Sequence, residues 1–248
     1  MVAALDWGGF GEEVVVTAAT VYPLPEALVL RDAAALPITY ATVWAALEWR
    51  AALRAGETLL VHGASGSLGT AAVQIGRLMG ARVIATASTP EKRAAALANG
   101  ADEALSSDAE KLPAAVKALC PGGGADVVFD PVGAALFDAS LRCVAPEARV
   151  LAVGFAGGDI PSPPANLLLV KNLSVIGFNY GYYIGWGLTD ERERHAGRVQ
   201  AMVARILQAV ARGALPAPVT QHFGFDRWRE AIDTTMSRRA IGKVIVDL

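Results

Sequence analysis

The stretch "TLLVHGASGSLGTAAVQIGRLMGARVIATASTPEKR", residues 58–93, carries the pattern on which the fold turns. "TLLVH" is an almost unbroken apolar run, as expected of a strand buried on both faces. Gly63, Gly66 and Gly69 follow as G-x-x-G-x-x-G, with Ala64 where the commoner G-x-G-x-x-G places its first glycine. A helical window over 67–79 puts Leu68, Ala71, Ala72, Ile75 and Met79 on one face, and "RVIAT" then reads as a second strand. In such a unit a glycine at position 66 lets the backbone approach a pyrophosphate. One at position 69 lets the helix pack close to the sheet. The N–H groups at the helix start offer an anion site. A tight strand-to-helix turn that holds nothing is the alternative, but the strand before it and the helix and strand after it favour a nucleotide.

The same rhythm continues on the C-terminal side. "EAL", "ADVVFD", "RVLAVGF" and "LSVIGFN" are further short apolar strands with helical windows between them. One of these windows, 90–99, is punctuated by Thr89 as N-cap, Pro90 at the first helical position and Gly100 at the end. Six strands joined by crossover helices predict an α/β fold with a doubly wound parallel sheet. On the N-terminal side, "EEVVVTAATVYPLP" suggests short strands, and "DAAALPITYATVWAALEWRAAL" helical material with Asp32 and Thr39 as N-caps. After Tyr183 the chain gives an amphipathic helix, an extended piece, a helix over 228–236 and a last strand, "GKVIVDL".

Composition narrows the function classes. With 248 residues, 53% hydrophobic, and a mean hydropathy of +0.37, the chain can bury a substantial core. A formal net charge of -2 gives no electrostatic reason to expect nucleic acid or an anionic membrane surface. Cys120, Cys143, His62, His195 and His222 fall into no metal-ligand spacing, and two cysteines make no disulfide framework. No signal peptide opens the sequence and no apolar run reaches membrane length, which makes the cytoplasm the expected compartment.

The second strand bears on the choice of cofactor. NAD sites use an Asp or Glu about 20 residues after the glycines to accept from the ribose hydroxyls. Here no acidic residue stands between Ala81 and Pro90; the strand ends in Ser88 and Thr89, with Lys92 and Arg93 following. Hydroxyls and a cation suit the 2′-phosphate of NADPH, which an Asp would repel. Lys92 is the expected contact, and Arg93 is read as a solvated helix residue.

With these residues in view, the chain resembles the zinc-free quinone oxidoreductase branch of the medium-chain dehydrogenase/reductase superfamily. The resemblance is carried by "GGFGEEVVV", "AAALPITYATVWAAL", residues 56–89, "ADVVFDPVG", "VLAVGFAGGDIP", "NLLLVKNLSVIGF" and "IGKVIVDL", in the family's order. It implies a Rossmann domain over 37–214. A partial, mostly β, GroES-like catalytic domain would come from 1–36 plus 215–248. It implies hydride transfer from NADPH, without metal, to a small-molecule electron acceptor, a quinone or activated alkene. The other reading is a nucleotide-binding redox sensor or scaffold with little turnover.

By the same resemblance Thr42 would sit near the nicotinamide, and Ser65, Gly66, Ser67 and Leu68 would cradle the pyrophosphate. Ser88, Thr89 and Lys92 would meet the 2′-phosphate. Val132, Gly133, Phe155 and Ala156 would line the cleft, and Lys243 would approach from the tail. Val132 and Phe155 are equally packing residues by type, Gly133 a chain turn and Lys243 a solvated strand start. Ser107 stands where several family members stack an aromatic on the adenosine. The family's front end is longer by roughly a hundred residues, about the size of a small domain. That segment would hold much of the substrate pocket, so no catalytic residue is named; Tyr40, Tyr180 and Tyr182 are conceivable proton donors. The resemblance further implies a homodimer that pairs sheet edges over 173–180.

Overall fold

The computed structural model describes residues 1–120, 122–237 and 239–248. The chain forms two compact units, Ala46–Phe178 and Met1–Ala45 with Asn179–Leu248. In the first unit six strands make a parallel sheet: β1 (Thr58–Val61), β2 (Arg82–Ala87), β3 (Glu103–Ser106), β4 (Ala125–Asp130), β5 (Val144–Ala152) and β6 (Ser174–Gly177). Between them run helices α1 (Ser67–Leu78), α2 (Pro90–Ala98), α3 (Leu112–Leu119), α4 (Ala134–Cys143) and α5 (Ala165–Lys171). Across the sheet the strands lie in the order β3-β2-β1-β4-β5-β6. The order reverses between β1 and β4, where an open α/β sheet has its crevice. The predicted α/β fold with a doubly wound sheet is therefore present.

The apolar runs dictate this arrangement. Leu59, Leu60, Val61, Val83, Ile84, Val127, Val128 and Phe129 are all fully buried, which only a sheet covered on both faces provides. Over one face Leu60, Ile84, Val128 and Val150 join Leu112 and Val116 of α3 and Phe137 and Leu141 of α4 in a single core. Burying a side chain of that size contributes about 1.5–3 kcal/mol. Thr89 caps α2 as expected, its hydroxyl accepting from Lys92 N at 3.3 Å, with Pro90 opening the helix. Gly69 is the tightest point. A Cβ there would lie 2.1 Å from Gly63 O and 2.6 Å from Ala64 Cα, so α1 can start this close to β1 only with hydrogen at that position.

The other unit is organised by the helix Arg192–Ala211, whose buried residues Val199, Met202, Val203, Ile206 and Leu207 recur at helical spacing. They pack on the turn Ala18–Thr20, the strand Val21–Tyr22 and the helical segments Leu36–Tyr40 and Ala41–Ala45. The boundaries of the compact units fall at 45/46 and 178/179. The unit also holds an antiparallel pair, Val2–Ala3 with Val21–Tyr22, and a parallel pair, Thr220–Gly224 with Lys243–Asp247. The helix Trp228–Met236 connects the parallel pair.

Three local expectations are corrected. Val14, Val15 and Val16 form no strand, and Val15 is fully exposed. A β-branched run without a partner strand gains nothing from its propensity. Asp32 lies inside the helix Leu30–Ala33, whose N-cap is Val29, and Thr39 lies inside Leu36–Tyr40. Packing rather than capping sets both starts, since Leu36 and Thr39 are buried.

A polar brace ties the carboxyl ends of the strands together. His62, at the end of β1, is fully buried, and its N–H donates to Phe129 O of β4 at 3.0 Å. Its Nδ1 lies 2.9 Å from Thr86 Oγ1 on β2, and its Nε2 lies 2.6 Å from Ser140 Oγ on α4. Burial pushes the imidazole pKa down, and the Asp130 carboxylate opposes that shift only in part.

Three stability outcomes are expected from this structure. Gly69→Ala is expected to cost at least about 2 kcal/mol in urea denaturation, because backbone must move to make room. By contrast, nothing lies near a Cβ at Gly197, which is exposed on the long helix. Gly197→Ala should gain about 0.5–1 kcal/mol. For His62 the sign is fixed by a folded-state pKa below the unfolded one. Above about pH 6.5 the ring is neutral in both states; below it the unfolded chain takes up a proton that the buried ring does not, so stability falls by up to about 1.4 kcal/mol per pH unit. Denaturation midpoints measured from pH 7 to 5 should therefore fall more steeply in the parent than in His62→Gln.

Candidate nucleotide-binding site

The site grows out of the carboxyl ends of β1, β2, β4 and β5. Immediately after β1 the chain turns through residues 63–66 and enters α1. Gly66 N donates to Gly63 O at 3.0 Å and Thr70 N to Gly66 O at 2.8 Å. Gly66 is the N-cap and offers no side-chain acceptor, so the N–H groups of the first turn have no cap of their own. Ser65, Gly66, Ser67 and Leu68 thus surround an uncapped helix N-terminus at the point where the strand order reverses. An anion of the size of a diphosphate fits the donor set, and the helix dipole favours it.

On one side stands the end of β2. Ser88 is exposed and Thr89 half-buried; Lys92 is one turn into α2, also half-buried. Arg93 departs from the sequence reading. Its guanidinium donates to Ala87 O at 3.3 Å, so it lies folded back on the end of β2 rather than free in solvent. The carbonyl at a strand end is an acceptor that the helical pattern alone does not reveal.

On the other side, β4 ends in Asp130, only 1% exposed. Its Oδ1 accepts from Val132 N at 2.7 Å and Gly133 N at 2.9 Å, shaping the turn into α4. Gly133 has φ of +70°, and a Cβ there would stand 3.0 Å from Phe155 Cδ1. The loop after β5 is strapped to this turn, with Ala156 N donating to Pro131 O at 3.1 Å and Gly157 N to Val132 O at 2.8 Å. Val132, Gly133, Phe155 and Ala156 are therefore brought together as one wall. Phe155 is 44% exposed, which plain core packing does not require. Asp130 and His62 were not singled out from the sequence. Asp130 had a readable signal: an Asp that ends a strand and precedes P-x-G is suited to accept from the turn's N–H groups.

Thr42 and Lys243 belong to the other compact unit. The Thr42 hydroxyl donates to Ile38 O at 2.6 Å within its helix. Lys243 begins the last strand, its N–H donating to Val219 O at 2.8 Å, and burial lowers its ammonium pKa. In the same unit burial raises the phenol pKa of Tyr40 and Tyr180, holding both hydroxyls protonated.

Comparison with known proteins follows this geometry. A family profile described as "Zinc-binding dehydrogenase" matches residues 67–193. Among the described residues no three His, Cys, Asp or Glu side chains gather where they could hold a metal ion. The chain is 35% identical over 243 residues to quinone oxidoreductase-like protein 2 of Bos taurus, covering 98% of this chain and 67% of that protein. It is 35% identical over 242 residues to a homolog of that protein in Nematostella vectensis, covering 97% of this chain and 64% of the relative. The chain thus spans about two thirds of the length of these relatives. Among solved structures, the quinone oxidoreductase of Thermus thermophilus, described also in its complex with NADPH, superposes with a TM-score of 0.81 at 35% identity. That match covers 99% of this chain and 76% of the other. Strand order, glycine turn and these similarities agree, and the chain belongs to the quinone oxidoreductase family of medium-chain dehydrogenases/reductases, a family of oxidoreductases.

Proposed function

We propose that this protein is an NADPH-dependent reductase of the cytoplasm that transfers hydride, without metal, to a quinone or an activated alkene. The observation that carries the cofactor reading is the uncapped N-terminus of α1 at the reversal of strand order, beside a strand end that offers hydroxyls and cations but no carboxylate. The NADPH complex described for the Thermus thermophilus relative supports it.

When bound, the dinucleotide supplies the hydride. In this reading the N–H groups of Ser65, Gly66, Ser67 and Leu68 donate to its diphosphate. Ser88, Thr89 and Lys92 hold the 2′-phosphate, with the Arg93 guanidinium close by at the end of β2. Val132, Gly133, Phe155 and Ala156 exclude water from one wall of the cleft, while Thr42 and Lys243 enter through the family resemblance. The electron acceptor is a small molecule.

A second part of the proposal concerns assembly. β6 is the last strand of the sheet, and its outer edge pairs with no strand among the described residues. Leu169 and Val170 on the neighbouring α5 are 78% and 72% exposed. Pairing two β6 edges would remove an aggregation hazard and cover apolar surface.

NADPH should bind more tightly than NADH, and Lys92→Ala should remove most of the difference. A charge-assisted hydrogen bond to phosphate is worth about 1.5–3 kcal/mol. Calorimetric titration should therefore show a loss of about ten- to a hundredfold for NADPH and little change for NADH. Equal affinities in the parent chain would sink the cofactor assignment. NADPH oxidation with a quinone separates a reductase from a sensor that binds without turnover. Light scattering at micromolar concentration should give the mass of a dimer, and a monomer would count against edge pairing.

A further inference from the structure

We propose that His62 is a positioning residue for the phosphate-binding turn, a neutral imidazole that donates from Nε2, accepts at Nδ1 and thereby fixes residues 63–66 against β2 and α4. The assignment rests on the reading that this turn holds a diphosphate.

The hydrogen bonds determine which ring nitrogen carries the proton. Ser140 has one hydroxyl hydrogen, and it is donated to Leu136 O at 2.8 Å. Toward His62, 2.6 Å away, the Ser140 oxygen can therefore only accept, so Nε2 is protonated. Burial disfavours the charged ring, so Nδ1 keeps its lone pair and the Thr86 hydroxyl 2.9 Å away donates to it. Thr86 grips the chain twice, because its carbonyl also accepts from Ala64 N at 3.0 Å. One residue of β2 thus holds both flanks of Gly63 by hydrogen bonds. Gly63 O in turn accepts from the N–H of Gly66, which stands at the N-cap position of α1. Hydrogen bonds therefore run from the imidazole to the helix N-terminus without a gap.

The ring sits in a fully buried position, where an unpaired nitrogen would carry its whole desolvation cost. The charged group that faces it is Asp130, whose Oδ1 is already engaged by Val132 N and Gly133 N. Within the described residues, Asp130 Oδ2 is buried without a partner. The imidazole itself bonds β2 through Thr86 and α4 through Ser140, while Asp130 separately holds the turn after β4. His62 acts through the backbone that it holds and is not placed against the ligand.

The test separates positioning from general stability by using two ligands. NADPH carries the diphosphate, whereas adenosine 2′-monophosphate reaches only the β2 side of the site. His62→Ala is expected to weaken NADPH by about tenfold, the effect of losing one buried hydrogen-bonded brace, and to leave adenosine 2′-monophosphate unchanged. His62→Gln, whose amide can replace the Nε2 donor, should recover most of the NADPH affinity. Nitrogen NMR of the parent should show the imidazole protonated at Nε2. Ser140→Ala, which removes the acceptor while keeping the ring, is read in the same way and decides the matter where His62→Ala does not fold. Equal weakening of both ligands, undiminished NADPH binding in the folded variants, or a ring protonated at Nδ1 would each overturn the assignment. A parent chain that binds neither ligand overturns the nucleotide reading itself, and this assignment with it.

Discussion

The close approach of α1 to the turn that precedes it is the constraint from which the first unit's geometry follows. At Gly69 a hydrogen is all that separates the helix from the carbonyl of Gly63 and the Cα of Ala64. Because the helix begins so near the sheet, its uncapped N–H groups open at the end of β1 rather than over a loop. The strand order reverses at that same place, so the helices on either side diverge and leave a crevice. The uncapped start of α1 and the end of β1 coincide because one residue has no side chain.

What keeps that arrangement rigid is different in kind. The sheet's central strands are held by apolar burial, which is strong but not directional. The strand ends are held by hydrogen bonds that leave little freedom of orientation, from His62 to Thr86 and Ser140, from Asp130 to Val132 and Gly133, and from Pro131 to Ala156. Both ring nitrogens of His62 have a partner, which favours one orientation of the ring, whereas Asp130 Oδ2 is buried without one among the described residues. The turn residues that would meet a cofactor are thus supported by polar groups that never reach it. In the other unit side-chain hydrogen bonds join Asp6 to Trp186 and Arg192, and His222 to Thr220 and Asp247. Its long helix is fixed by an apolar stripe, and its buried tyrosines Tyr22 and Tyr180 are held protonated, Tyr22 with a pKa pushed up to about 12.

The family resemblance and the observed sheet agree on the α/β fold of the first unit. Ser88 and Thr89 follow the end of β2, and Lys92 lies in the first turn of α2. The loop carrying Phe155 is tied by backbone hydrogen bonds to the turn carrying Val132. Thr42 and Lys243 each donate to a backbone carbonyl of their own unit, Ile38 O and Val219 O.

The sequence by itself determined the parallel sheet, because strands buried on both faces must be continuously apolar and "TLLVH", "RVIAT" and "ADVVFD" are. It determined the start of α2, since Thr89 and Pro90 act through bonds only a few residues long. It also located the glycine turn, where spacing alone implies close approach. Only the tertiary structure decided that Val14, Val15 and Val16 form no strand, that Arg93 folds back on Ala87 O, and that His62 braces the turn. Each of these depends on a partner far away in sequence or on a backbone carbonyl that any residue could supply. Residue identity at one position does not encode such a partner, whereas periodicity, capping and turn chemistry are local and can be read directly.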